Sequence, residues 1–307
     1  MQQLRYSPLS VCAVLALGIH PCGARLAAQV VAPFTEPITI PLEPWVGRFL
    51  TVRGTIEGRP VSLLFDTGGG ETLVAPRLLD EIGCAPEGRS VGYRMSGERV
   101  EWARCGGLPI EVAGTTLRPR TLGSFDIMAL FGDQLPAETP PVDGVLSLDV
   151  ARGRQLTLDL AASTLTIETD GSFRERTSHM HEVPARVATG PDGGALTVHL
   201  RATLRETANP VWLLLDSGNL AGLLLDESVA LRGMEGTDVH LDFGEGVSVT
   251  AIPRRAGLIY DGALSWREIR ALVVTLDLEE GRAWLGVQTL SDPGAPPQGG
   301  SRGPSPR

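Results

Sequence analysis

Two copies of one short pattern constrain this 307-residue chain more than any other feature. The apolar run Val61–Phe65 ends in Asp66-Thr67-Gly68, and the run Val211–Leu215 ends in Asp216-Ser217-Gly218. Each run predicts a buried strand. A carboxylate at the end of a buried strand costs free energy unless it is paired or used. One such acid in each half of the chain therefore predicts that Asp66 and Asp216 meet.

Two further motifs repeat downstream of the acids. Asp143-Gly144-Val145-Leu146-Ser147 returns as Asp261-Gly262-Ala263-Leu264-Ser265, and Thr157-Leu158-Asp159-Leu160 returns as Thr275-Leu276-Asp277-Leu278. In both halves 16 residues separate the first acid from the second, Asp143 from Asp159 and Asp261 from Asp277. Matching motifs at matching intervals indicate an internal duplication.

The halves differ between these motifs. Asp66 and Asp143 are 77 residues apart, whereas Asp216 and Asp261 are 45 apart, so the first half carries about 32 additional residues, mostly within 85–140. Turn signals and alternating apolar residues predict hairpins over 48–65, 85–130, 196–215 and 239–252. Short helices are expected over 76–82 and 226–231. Residues 171–193 are weakly patterned and predict a connection between the halves.

The Asp-Thr/Ser-Gly motif after an apolar strand, with Asp-Gly-hydrophobic-Leu and a helix further on, resembles the pepsin/retropepsin-like aspartic proteases. The resemblance covers roughly 48–169 and 194–288, and the chain is similar to a fused pair of retropepsin-like units. It implies an all-β fold with a few short helices, a bilobed acid-protease barrel. The implied organisation is a signal peptide 1–28, an extended lead-in 29–47, an N-terminal lobe 48–170, a connection 171–193, a C-terminal lobe 194–290 and a disordered tail 291–307.

The same resemblance implies an aspartic endopeptidase, with Asp66 and Asp216 as catalytic residues and Thr67, Gly68, Ser217 and Gly218 in supporting roles. Two carboxyls brought together share one proton, because both cannot ionise cheaply. The ionised carboxyl can activate a water while the protonated one donates to a carbonyl of a peptide or protein substrate. This chemistry needs no cofactor, and none is expected.

An alternative stays open: a non-catalytic peptide- or ligand-binding protein on the same fold. Family members usually carry glycine where Ser147 and Ser265 stand, so the packing under the two acids is expected to differ. A β-rich structural protein with accidental motifs is disfavoured by the matched 16-residue intervals. The resemblance also implies a covering hairpin after the first short helix. Tyr93 and Trp102 are the aromatic candidates there, but an ordinary packed or exposed aromatic residue is the favoured interpretation of each. Asp149 is predicted to be solvated.

Cysteines fall into two groups. Cys12 and Cys22 lie in the predicted signal peptide, and only Cys84 and Cys105 remain beyond it. In an oxidising compartment these two are expected to form a disulfide, although two buried thiols would also fit the sequence. No metal site is predicted, because there is no CxxC motif and the His179-x-His181 pair lies in a stretch expected to be a solvated loop.

The N-terminus and the charge bear on location and partners. Arg5 precedes the apolar run Val11–Ile19, which is too short to span a bilayer, and small residues follow, so a signal peptide cleaved after Ala28 or Ala24 is expected. The protein is therefore predicted to be periplasmic or secreted, without a stable membrane span after cleavage. A net charge of −9 argues against nucleic acid as partner. Because one chain carries both acids, a monomer is expected.

Overall fold

The computed structural model describes residues 35–47, 49–132, 135–190, 192–231 and 236–288. The predicted signal peptide 1–28 and the predicted tail 291–307 lie outside these residues. Nearly half of the described backbone is in strands, which form three sheets, and the helices are short. The prediction of an all-β protein with a few short helices is confirmed.

A six-stranded sheet contains strands from both halves of the chain. Its strands, in spatial order, are β1 (Ile38–Pro41), β13 (Thr164–Ile167), β12 (Gln155–Asp159), β23 (Leu272–Asp277), β24 (Arg282–Val287) and β14 (His181–Val183). The repeated Thr-Leu-Asp-Leu motifs pair antiparallel at its centre, where Thr157 lies opposite Thr275. Their hydroxyl oxygens are 2.8 Å apart. The two halves are thus joined through equivalent segments.

The first half supplies a ten-stranded sheet. Its strands are β2 (Glu43–Trp45), β3 (Phe49–Ile56), β4 (Arg59–Phe65), β5 (Leu73–Val74), β6 (Gly88–Tyr93), β7 (Arg99–Gly106), β8 (Ile110–Val112), β9 (Thr115–Leu117), β10 (Thr121–Ser124) and β11 (Gly144–Leu146). The spatial order is β6-β7-β10-β5-β11-β4-β3-β8-β9, and β2 also pairs with β3. The helices α1 (Pro76–Glu81) and α2 (Met128–Phe131) and a 3-10 turn (Leu148–Ala151) connect these strands.

The second half supplies an eight-stranded sheet. Its strands are β15 (Ala185–Thr189), β16 (Leu196–Leu204), β17 (Asn209–Leu215), β18 (Leu224–Asp226), β19 (Val239–Gly244), β20 (Val247–Ala251), β21 (Arg254–Ala256) and β22 (Gly262–Leu264). The spatial order is β20-β19-β16-β17-β22-β18-β21, and β15 pairs with β16. α3 (Asp170–Thr177) precedes β14, and α4 (Trp266–Ile269) follows β22.

Burial follows the sequence pattern closely in β16. Leu196, Val198, Leu200, Ala202 and Leu204 are buried, and the residues between them are exposed or half-buried. This period of two is what a strand with one face on the core requires. In β4 and β17 the last three residues are all buried, so both strands enter the core just before Asp66 and Asp216.

The predicted connection contains more regular structure than its pattern indicated, and one predicted helix is wrong. Residues 171–193 contain most of α3 and all of β14 and β15, because short edge segments pair with β24 and β16 although their own apolar pattern is weak. No helix forms over 226–231: Asp226 ends β18, and its carboxylate accepts the amides of Ser228 (2.9 Å) and Leu258 (2.8 Å), which fixes a turn.

Candidate functional site

Asp66 and Asp216 follow strands with the same pairing. β4 runs parallel to β11, with Phe65 opposite Leu146, and β17 runs parallel to β22, with Leu215 opposite Leu264. Each acid is therefore the first residue after a buried strand. That strand is paired with the strand that begins in the Asp-Gly motif of the same half. The backbone at these positions is held from both sides, so each carboxyl starts from a fixed point.

Crossed hydrogen bonds tie the two acid-bearing loops together. The Thr67 hydroxyl donates to the Leu215 carbonyl (2.7 Å), and the Ser217 hydroxyl donates to the Phe65 carbonyl (3.2 Å). Each hydroxyl oxygen also accepts the backbone amide of the other residue: Ser217 N lies 3.0 Å from Thr67 Oγ1, and Thr67 N lies 3.1 Å from Ser217 Oγ. All four bonds are buried, so breaking any of them would leave a polar group without water.

Glycine is required where each loop passes the opposite acid. A Cβ atom on Gly68 would lie 2.4 Å from Cγ of Asp216, and one on Gly218 would lie 2.6 Å from Cγ of Asp66. Neither distance is compatible with a side chain, so both residues permit a close approach of backbone to carboxyl. The structure thus brings together all six residues that the motif singled out.

The carboxyls of Asp66 and Asp216 are neighbours, because each lies beside the glycine of the loop that carries the other. Backbone amides hold them further: Gly68 N donates to Asp66 Oδ1 and Asn219 N donates to Asp216 Oδ1, each at 2.9 Å. Burial raises the pKa of Asp66. Burial, followed by the negative charge of Asp66, raises the pKa of Asp216 well above its ordinary value. The two carboxyls therefore titrate as a pair, and Asp216 is the harder of the two to ionise.

Ser147 and Ser265, the two departures from the glycine pattern, have different surroundings. Ser147 is fully buried near Gly69, and within the described part of the chain its hydroxyl has no hydrogen-bond partner. The Ser265 hydroxyl donates to the Glu268 carboxylate and accepts the Arg267 amide (3.1 Å), which caps α4. The packing beneath the pair thus differs between the halves.

The prediction that Asp149 is solvated is wrong. Its side chain is only 2% exposed, because all four residues of the 3-10 turn over 148–151 face the core. The Thr72 hydroxyl donates to Asp149 Oδ1 at 2.6 Å and also accepts the amide of Ser147 at 3.2 Å. Burial raises the pKa of Asp149 to about 7. No sequence pattern indicated that Asp149 is buried.

Glu71 is a further buried acid that the sequence interpretation missed. Its carboxylate, 3% exposed, accepts Thr121 Oγ1 at 2.6 Å, Trp102 Nε1 at 3.0 Å and Ser90 Oγ at 3.3 Å. These partners lie on β10, β7 and β6, so Glu71 anchors the β6–β7 hairpin to the loop that carries Asp66. Trp102 is therefore a packed part of the hairpin base, whereas Tyr93 is 62% exposed.

The tip of the β6–β7 hairpin reaches the second half of the chain. The amide of Ile259 donates to the Met95 carbonyl at 3.0 Å. The next residue, Tyr260, is half-buried beside the carboxyl pair: burial and then the charges of Asp216 and Asp66 raise the pKa of its phenol. Its ring meets the ring of His199 edge to face, with centroids 5.4 Å apart. The hairpin tip and Tyr260 thus border the pair.

Cys84 and Cys105 form a disulfide, as predicted, with Cα atoms 6.0 Å apart. It joins the end of α1 to β7 and so anchors the hairpin a second time.

His181 is not a loop residue: it lies in β14, where its Nε2 is 3.1 Å from the Phe243 carbonyl. Within the described ranges no helix is long and apolar enough to cross a membrane.

Comparisons with known proteins give a fold but no family. No protein-family model and no curated protein matches the sequence. The crystal structure of basic 7S globulin from soybean is similar, with a TM-score of 0.51 and 10% identity over 81% of this chain and 94% of that one. Conglutin gamma, a basic 7S globulin from lupine seeds, is similar at a TM-score of 0.51 and 10% identity, over 82% and 95%.

Two predictions are corrected by these comparisons. Membership of the pepsin/retropepsin-like aspartic protease family is wrong, because the similar structures reported above are seed globulins and neither sequence comparison returns a protease. The predicted aspartic endopeptidase is contradicted on the same grounds. The reason is physical: the motif specifies the paired loops and their crossed hydrogen bonds, and a fold can keep that framework without turnover.

Proposed function

We propose that this chain is a non-catalytic binding protein that holds an extended peptide against the Asp66–Asp216 pair. The observation that carries the proposal is the buried pair of neighbouring carboxyls, which crossed hydrogen bonds between the two loops hold together. A buried pair of acids is costly to maintain, and its persistence is accounted for if a ligand uses it.

One shared proton gives the pair both kinds of hydrogen-bonding group. The protonated carboxyl of Asp216 donates to a carbonyl oxygen, and the ionised carboxyl of Asp66 accepts from an amide or a hydroxyl. A peptide group offers this combination of acceptor and donor. Hydrogen bonds that involve a charged group contribute about 1.5–3 kcal/mol each, enough to make the pair the main polar anchor of a ligand.

Edge strands near the pair favour an extended ligand. Within the described strands β6 is an edge of the ten-stranded sheet, and β21 is an edge of the eight-stranded sheet. Both lead towards the contact between Met95 and Ile259. Edge strands carry backbone groups that can pair with an added peptide strand, and main-chain pairing gives affinity with little dependence on sequence.

Further features complete the proposal. The two halves are proposed to be duplicated lobes, 48–170 and 194–290, joined by 171–193, so that a monomer contains the whole site. The disulfide is consistent with an oxidising compartment, and we propose that the protein works in the periplasm or outside the cell after removal of residues 1–28. Size-exclusion chromatography with light scattering tests the monomer.

The binding role is tested with the disulfide-intact protein on a solid support. A library of N-acetylated, C-amidated octapeptides is passed over it, and retained peptides are identified by mass spectrometry. The affinity of a retained peptide is then measured by calorimetry for wild type, for Asp66→Ala/Asp216→Ala and for Asp80→Ala, an acid exposed on α1. We expect the double variant to bind at least tenfold more weakly and Asp80→Ala to match wild type.

Three results would count against the proposal. A library from which nothing is retained would remove the peptide ligand, and equal affinity of wild type and the double variant would remove the carboxyl pair from the site. Cleaved peptide after long incubation with wild type, absent with the double variant, would contradict a non-catalytic role. Circular dichroism of the double variant confirms that it is folded.

A further inference from the structure

Arg186 is an exposed cation on β15, stacked against an aromatic ring. The central carbon of its guanidinium lies 3.8 Å from the centroid of the Trp212 indole. Among the residues described by the structure, no carboxylate lies within ion-pair distance of it. Its guanidinium is therefore held in place by an aromatic ring, and its charge is not neutralised by a neighbouring acid.

A continuous row of side chains leads from the carboxyl pair to Arg186. Tyr260 is close enough to the pair for the charges of Asp216 and Asp66 to raise the pKa of its phenol. Its ring contacts the ring of His199. His199 on β16 is paired directly with Arg186 on β15. A peptide that leaves the pair on the Asp216 side would therefore pass Tyr260 and His199 before it reaches the guanidinium.

We propose that Arg186, positioned by Trp212 and flanked by His199, forms an anion subsite that selects a carboxylate side chain on the bound peptide. The subsite rests on the proposed binding function and specifies its ligand. The selected residue is a Glu or Asp further along the peptide than the residue at the carboxyl pair, because the negative charge of Asp66 disfavours an acid close to it.

Guanidinium chemistry supports a carboxylate as the ligand group. When its face is stacked on an indole, the N–H groups at the edge stay available for a bidentate bond to a carboxylate, and the stacking reduces the side-chain entropy lost on binding. His199 does not compete as a cation: burial, and then the charge of Arg186, lowers its pKa. Asp261, whose negative charge opposes this shift, already accepts the Trp212 amide at 2.8 Å.

The test uses two matched sets of N-acetylated, C-amidated octapeptides in which one position at a time is fixed as Glu or as Gln. Retention on immobilised wild-type protein is expected to favour Glu about fivefold at one position, which corresponds to about 1 kcal/mol. Arg186→Gln should reduce this ratio to about one while the Gln peptides bind as before. Arg186→Glu should reverse the preference, and Arg174→Gln, which changes an exposed arginine on α3, should leave it unchanged.

The outcomes separate this subsite from the proposed function. Peptides that bind through Asp66 and Asp216 but show no Glu preference, or a preference that survives Arg186→Gln, overturn the subsite and leave the binding function intact. Retention of no peptide by wild type overturns both. A Trp212→Leu variant provides a second check, because it keeps the charge but removes the stacking, and the Glu preference should fall without reversing.

Discussion

The crossed hydrogen bonds beneath the carboxyl pair give the sharpest prediction about stability. In Thr67→Val the side chain keeps its shape but loses the hydroxyl, which donates to Leu215 O (2.7 Å) and accepts Ser217 N (3.0 Å). Thr67 is fully buried, so neither partner gains water in exchange. A buried group left unpaired costs about 1–3 kcal/mol, and two such groups make a loss of about 3 kcal/mol the expected result.

Urea unfolding followed by tryptophan fluorescence, with the disulfide intact, measures this loss. For a domain of this size, about 3 kcal/mol corresponds to a fall in Tm of about 6–12 °C. Thr67→Ser restores the hydroxyl and should cost only about 1 kcal/mol for the lost methyl. Thr250→Val makes the same chemical change at an exposed position of β20 and should stay within about 0.5 kcal/mol of wild type.

A loss below about 1 kcal/mol in Thr67→Val would refute the reasoning, and so would equal losses in Thr67→Val and Thr67→Ser. In the first case the hydroxyl bonds would not stabilise the paired loops. In the second case the cost would come from packing. A change in the denaturant slope without a change in midpoint would also count against it, because that behaviour reports a change in the unfolded or native ensemble.

Two further predictions concern the surroundings of the pair. Gly68→Ala places a Cβ 2.4 Å from Asp216 Cγ and should lower the free energy of unfolding in urea by about 2 kcal/mol or more. Gly257→Ala, which has open space around its Cβ, should be nearly neutral. Equal effects of the two substitutions would contradict the close approach. The folded pKa of Asp149, about 7, lies above its unfolded value of 3.8, so the folded state binds the additional proton and stability falls as pH rises from about 4 to about 7. Asp149→Asn should remove roughly 3 kcal/mol of that fall between pH 5 and pH 8, and an unchanged pH dependence in urea unfolding would contradict it.

The ends of the two acid-bearing strands were predictable because the same pattern occurs twice in the chain. The apolar runs before Asp66 and Asp216 end where β4 and β17 end. The pairing of the two Thr-Leu-Asp-Leu motifs in β12 and β23 was not predicted, because a repeat does not show which segments lie side by side. The disulfide was predictable for a different reason: beyond the predicted signal peptide, Cys84 and Cys105 have only each other as partners.

Contacts made by single, unrepeated residues were not predictable. Glu71 follows a run of three glycines, and nothing in that context indicates that Ser90, Trp102 and Thr121 will converge on its carboxylate. Asp149 read as a solvated residue because the turn that buries it is only four residues long. Contacts of this kind depend on tertiary packing, which local pattern does not encode.

The wrong inference about activity has a similar origin. Every residue of the Asp-Thr/Ser-Gly motif has a structural task in this protein: the hydroxyls cross-link two loops, the glycines permit close approach, and the acids share a proton. Those tasks bring two carboxyls together whether or not a bond is broken afterwards. The motif therefore predicts the geometry of the pair, while turnover depends on residues outside it.

The parts of the halves that are not repeated differ most around the pair. Outside β4, the apolar cluster of Trp45, Phe49 and Phe131 covers Leu64, with ring centroids 5.3–5.8 Å apart, and Phe131 ends α2 within the additional residues of the first half. Beside β17, Leu214 is paired with His199, next to Arg186. An apolar cluster beside Leu64 and a cation near Leu214 make the two sides of the pair different for a ligand. A peptide that binds across the pair is therefore expected to have a fixed direction, with its acidic residue on the Asp216 side.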